Sequence, residues 1–140
     1  MLKKTIAFTD YNGVERQKDF YFNLTKTEVT EMELSEQGGL VKHIKAVIDS
    51  QDSREIFTIF KMIVLKSYGE KSPDGLRFVK SEELSTAFSQ TDAFDVLIMS
   101  FFEDANLASE FMNGVIPKVP ADQAKEISDA VNKQSLQNLK

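Results

Sequence analysis

The sequence predicts an α+β fold, predominantly helical, in which an N-terminal β-hairpin packs on a bundle of about five or six short helices. Three observations predict it. Two alternating runs flank Asn12-Gly13 near the N-terminus; the spacing of apolar residues turns helical after Phe22; and from there the chain carries repeated helix start and stop signals.

Residues 3–9 and 14–22 read as the two strands. Asn12-Gly13 by itself suggests a two-residue type I′ turn. That loop would set Phe8 opposite Gln17 and Ile6 opposite Asp19, mixing apolar and polar side chains on one face. A three-residue loop, Tyr11-Asn12-Gly13 with Gly13 in the left-handed region, sets Leu2 opposite Phe22 on the face that carries Ile6, Phe8 and Phe20. The hydrophobic pattern decides register, so the three-residue loop with a bulge is expected.

Thr25 and Glu28 make a capping box that opens a polar helix over residues 25–36, stopped by Gly38-Gly39. A second helix covers residues 40–50, with Leu40, Ile44, Val47 and Ile48 on one face. The third starts after Ser53 and is expected to end at Gly69, a left-handed C-terminal cap. Its stripe is Ile56, Ile59, Phe60, Ile63 and Val64, widened by Phe57, Met62 and Leu65. A helix apolar on nearly all sides belongs at the centre of a fold.

Ser72-Pro73-Asp74-Gly75 suits a surface turn, and Phe78-Val79 a short extended piece before Ser81, which caps a helix to about Ser89. Thr91 caps the next, through Phe94, Val96, Leu97, Ile98, Met99, Phe101 and Phe102. After Asp104 a last short helix is expected to end at Gly114. The single globular domain thus covers residues 1–117, as hairpin 1–23 and helical part 24–117. Residues 118–140 form a C-terminal tail, helical when docked, with Ala124, Ile127 and Val131 as a narrow apolar stripe.

Composition narrows the function. With 17 Lys and Arg against 22 Asp and Glu, the net charge is -5. That balance argues against nucleic-acid phosphates and anionic membrane surfaces as partners, since both require concentrated positive charge. Without Cys there is no disulfide, thiolate nucleophile or cysteine zinc site. The apolar clusters at residues 56–65 and 94–102 are shorter than a bilayer span and hold Lys61 and Asp95, so a soluble protein is expected.

No arrangement of residues calls for catalysis, and neither a cofactor nor a small-molecule substrate is expected. His43, the only histidine, lies among Lys42 and Lys45 on a helix and reads as an exposed surface residue. Glu82-Glu83 sit at a helix start, where negative charge complements the helix dipole, and Asp49, Asp52 and Glu55 straddle a helix junction and read as helix-end acids too. Asp10-Tyr11-Asn12-Gly13 lacks the later ligands of a calcium loop. Gly38-Gly39 lacks the spacing and the lysine of a phosphate loop. What remains is the Phe-rich helix. Core is its first explanation; the alternative is that the side holding Phe101 or Phe102 covers a partner or another copy of the chain. The tail stripe Ala124, Ile127 and Val131 is a second candidate partner surface.

Several segments then carry a family likeness. Glu36-Gln37-Gly38-Gly39-Leu40 and Lys66-Ser67-Tyr68-Gly69-Glu70-Lys71-Ser72 are two of them, the second followed by Asp74-Gly75. Arg77-Phe78-Val79-Lys80-Ser81-Glu82-Glu83-Leu84, continued by Ala87-Phe88-Ser89-Gln90-Thr91-Asp92-Ala93, is a third, and Phe111-Met112-Asn113-Gly114-Val115-Ile116-Pro117 a fourth. Across residues 14–117 the chain resembles the tail assembly chaperones of long, flexible-tailed bacteriophages and prophages.

The resemblance implies a protein of the infected or lysogenic host's cytoplasm, absent from the finished virion. Its partners would be the tape-measure protein, which it keeps soluble, and the tail-tube protein, which it helps recruit, with self-association along the client. The family has no catalytic motif, so no site residue carries across. A longer form made by ribosomal frameshifting near the end of the short one would suit the change of composition after Pro120. A tail completion or connector protein that stays in the virion is the alternative of another class.

Overall fold

The computed structural model describes residues 1–35 and 39–117. The expected tail, with Ala124, Ile127 and Val131, lies outside them, as does Gly38. The described chain groups into two compact units, one of residues 1–24 and 58–116, the other of residues 25–35 and 39–57 with Pro117.

In the first unit the hairpin forms in the register the apolar pattern demands. Strand β1 (Leu2–Thr9) pairs antiparallel with β2 (Glu15–Phe22), Leu2 opposite Phe22 and Phe8 opposite Arg16. Gly13 takes φ 79° and donates to the Asp10 carbonyl at 2.9 Å, closing the three-residue loop. Asp10 holds the turn from inside: its Oδ1 accepts the N–H groups of Asn12 and Val14, both at 2.9 Å, and its Oδ2 pairs with Arg16. The whole carboxylate is engaged by the turn.

These contacts, first the Arg16 hydrogen bond, hold the Asp10 carboxyl below the usual aspartate range, and the Ser72 hydroxyl does the same for Asp74 in the second turn. A lowered folded pKa means that both groups favour the fold above the unfolded-chain value. That contribution is lost as pH falls through the lower folded value. In a carbon-13 titration of side-chain carboxyls, both should show midpoints below 3.8. A midpoint at or above that value for Asp10 would contradict the Arg16 pairing.

The sheet does not stop at the hairpin. Tyr68–Lys71 forms β3, with Tyr21 opposite Gly69 and Phe22 opposite Tyr68, and Phe78–Val79 forms β4 beside it. All neighbours are antiparallel, in the order β1-β2-β3-β4. The expected turn at Ser72 to Gly75 forms, with Gly75 at φ 76°, and it joins β3 to β4.

The second unit holds α1 (Lys26–Ser35) and α2 (Leu40–Ser50), and α3 (Ser53–Ser67) begins in it. The capping box forms: Glu28 N–H donates to Thr25 Oγ1 at 3.1 Å, and Thr25 N–H to Glu28 Oε1 at 3.0 Å. α1 packs on α2, with Val29 buried on the first and Leu40, Ile44 and Val47 on the second. Gly39 enters α2 at φ 96°. Asp52 caps α3, accepting from Arg54 N–H at 3.0 Å.

Two glycines expected to stop helices do something else. α3 ends at Ser67, and neither Gly69 nor Gly114 adopts positive φ. The last carbonyls of α3 are satisfied by other elements. Ser85 Oγ donates to the Leu65 carbonyl and Asn23 N–H to the Ser67 carbonyl, each at 2.8 Å, so no left-handed cap is needed. Gly69 is a glycine for space: a Cβ there would lie 2.7 Å from both Phe78 Cε2 and the Val79 carbonyl oxygen. Gly114 lies inside the last helix, which continues to Val115, and a Cβ on it would meet Leu2 Cδ1 at 3.0 Å.

Ser81 and Thr91 cap α4 (Glu82–Ser89) and α5 (Asp92–Glu103), accepting from Leu84 N–H and Phe94 N–H. Asp104 caps α6 (Ala105–Val115). The centre of this unit is aromatic, and it lies between the sheet and α4 to α6. Phe22 touches the rings of Tyr68, Phe88 and Phe111, while Tyr68 stacks on Phe88 with centroids 4.2 Å apart. α3 supplies Ile63 and Val64 to the buried set, but Phe57 near its start is exposed and Ile56 and Phe60 are half-buried. The central place expected for α3 along its whole length is held only by its C-terminal part. Sequence could not show this, because Phe, Ile and Met count as apolar on whichever side they fall.

Candidate partner-binding surface

One side of α5 is packed into its unit. Ala93, Phe94, Leu97, Ile98 and Phe101 are buried, which accounts for most of its apolar residues. The exposed ones are Val96, Met99 and Phe102, at 39%, 48% and 50% of full exposure. At 3.6 residues per turn these three fall within an arc of about 120°. Asp95 and Glu103 are exposed around them. An apolar ridge interspersed with acids can cover apolar surface on a partner while its surroundings stay hydrated.

Of the residues singled out in sequence, Phe101 therefore points inward, its ring 6.2 Å from that of Phe60 and 5.3 Å from that of Phe111. Phe102 stands at the surface. Val96 and Met99 join it, although their apolar character alone did not mark them as outward. The spacing of Asp92, Asp95 and Glu103 is the signal that does, since those acids share the arc.

Beside the ridge runs a groove of about 340 Å³, lined by residues 4–7 of β1 and by Val96 and Ser100 of α5, with Leu107 at one end. His43 is exposed on α2, and Glu82 and Glu83 occupy the exposed first turn of α4. Among the described residues no group of three or more His, Asp or Glu side chains is placed to hold a metal ion. No described helix is long and apolar enough to cross a membrane.

A family model described as phage tail assembly chaperone matches residues 1–139. The chain belongs to that family. The match extends beyond the residues that carry the likeness in sequence, taking in both β1 and the tail. No curated protein and no solved structure matches the chaperone. Membership in the family implies interaction with tail proteins.

Proposed function

We propose that this tail assembly chaperone binds the tape-measure protein, keeps its apolar surface in solution and helps recruit tail-tube subunits around it. The observation that supports this most is the Val96, Met99 and Phe102 ridge, set among acids on a helix whose other side is locked into an aromatic core. A long helical client presents an apolar stripe of the kind such a ridge covers. The protein works by binding and not by catalysis, in the cytoplasm of the infected or lysogenic host, and it leaves before the virion is complete. Its working domain is residues 1–117, and Ala124, Ile127 and Val131 of the tail form a second, sequence-based contact. Several copies self-associate along one client, so that neighbours raise each other's effective concentration and single contacts can be weak.

Co-expression with the tape-measure protein of the same phage, followed by size-exclusion chromatography with light scattering, tests the proposal. Soluble tape measure carrying several copies of the chaperone is the expected result. Tape measure left in the pellet, with the chaperone eluting alone, would refute it. Mass spectrometry of purified virions should find no chaperone; stoichiometric amounts there would favour a tail completion or connector protein.

A further inference from the structure

The order β1-β2-β3-β4 makes β1 an edge strand, eight residues long. In an antiparallel pair, backbone groups point alternately to the neighbour and away from it. Thr9 N–H donates to Asp92 Oδ2 at 3.2 Å, so it points away from β2, whereas Asp10 N–H bonds back to the Val14 carbonyl. By alternation the N–H and C=O groups of Lys3, Thr5 and Ala7 also face outward. Thr5 and Ala7 are exposed, and α5 stands back from this stretch across the groove beside Val96 and Ser100. The edge therefore offers strand-pairing groups with room next to them.

Charge selects the occupant. One end of the edge carries Lys3 and Lys4, and the other carries Asp92 on Thr9 with Asp95 close by on α5. A strand laid antiparallel should then be basic at its N-terminal end and acidic at its C-terminal end. β1 has that pattern itself, with Lys3 and Lys4 at its N-terminal end and the Asp92 carboxylate held on Thr9 at its C-terminal end. Edge lysines usually discourage pairing. Here they would oppose a parallel copy, Lys3 on Lys3, and favour an antiparallel one.

We propose that two copies of this chaperone join through antiparallel pairing of their β1 edges about a two-fold axis at Ile6. Thr5 of one copy pairs with Ala7 of the second, and Ala7 with Thr5, giving about four backbone hydrogen bonds. Lys3 comes opposite Thr9 of the second copy, beside the Asp92 carboxylate that holds the Thr9 N–H. The contact deepens the self-association proposed above by naming its surface, and it is independent of any client.

Sedimentation equilibrium of the full chain without client tests it, comparing wild type with Ala7→Pro, Ala7→Ser and Lys3→Glu. Proline at residue 7 removes only an outward N–H and is compatible with an edge strand. Wild type and Ala7→Ser should dimerise alike, and rising salt should weaken both. Ala7→Pro and Lys3→Glu, with circular dichroism unchanged, should dimerise at least about tenfold more weakly. Wild type that stays monomeric into the millimolar range, or dimers indifferent to both substitutions, would overturn the proposal. If Ala7→Pro alters the circular dichroism, Lys3→Glu decides. None of these outcomes depends on whether the tape measure is the client.

Discussion

Phe22→Ala is expected to cost about 3–5 kcal/mol of folding stability, the usual range for deleting a buried aromatic ring. Phe22 is fully buried, and its ring meets those of Tyr68, Phe88 and Phe111 at 5.8, 5.7 and 5.1 Å. Those rings come from β3, α4 and α6, so the cavity would open where three elements meet a central strand. Domains of this size hold about 5–15 kcal/mol in total, so the variant should lose a large share of its stability. Urea denaturation followed by circular dichroism measures the loss. Phe22→Leu, which refills most of the volume, should recover more than half of it. A loss below about 1 kcal/mol would mean that the cluster is not packed as described.

Gly69→Ala should be the next most damaging single change, at about 1–3 kcal/mol. The added Cβ would lie 2.7 Å from Phe78 Cε2 and from the Val79 carbonyl oxygen, and 2.8 Å from Lys80 Cγ. A ring or a lysine stem can swing aside; the carbonyl belongs to β4 and cannot move without loosening its pairing with β3. Amide exchange should therefore speed up locally, at Glu70, Lys71, Phe78 and Val79, before the global melting point falls far. If Gly69 instead capped a helix in the left-handed region, the exchange pattern of β4 would be untouched.

What could be read from sequence was local, and what could not was long-range. The hairpin register follows from the alternation of Leu2, Ile6, Phe8, Phe20 and Phe22, because a one-residue slip would bury Gln17 and Asp19. Thr25, Ser81 and Thr91 announce their helices because a cap lies within three residues of the N–H it satisfies. β3 had no such signal. Tyr68-Gly69-Glu70-Lys71 is four residues with no alternation, and it is a strand only because β2 lies beside it. The same distance effect hid the roles of Gly69 and Gly114, since a glycine needed for close approach looks identical in sequence to one that ends a helix.

The candidate surface was half legible. α5 is rich in apolar residues nearly all round, so its composition indicates a packed helix without saying which side is the more exposed. Phe102 was within reach as one of two adjacent aromatics; Phe101, its neighbour, turned out to be core. Only the packing of β1, α4 and α6 on the other side separates them.

The central claim is that the outward face of α5 covers the client. Its most direct test is co-expression of the tape-measure protein with wild-type chaperone and with a Met99→Glu, Phe102→Ser double variant. Both substituted side chains are about half exposed, and circular dichroism with a thermal melt checks that the variant is folded. The account predicts that wild type brings the tape measure into the soluble fraction and that the double variant, equally well folded, leaves it in the pellet. A variant that solubilises the tape measure as well as wild type does would contradict the account and move the client site off α5.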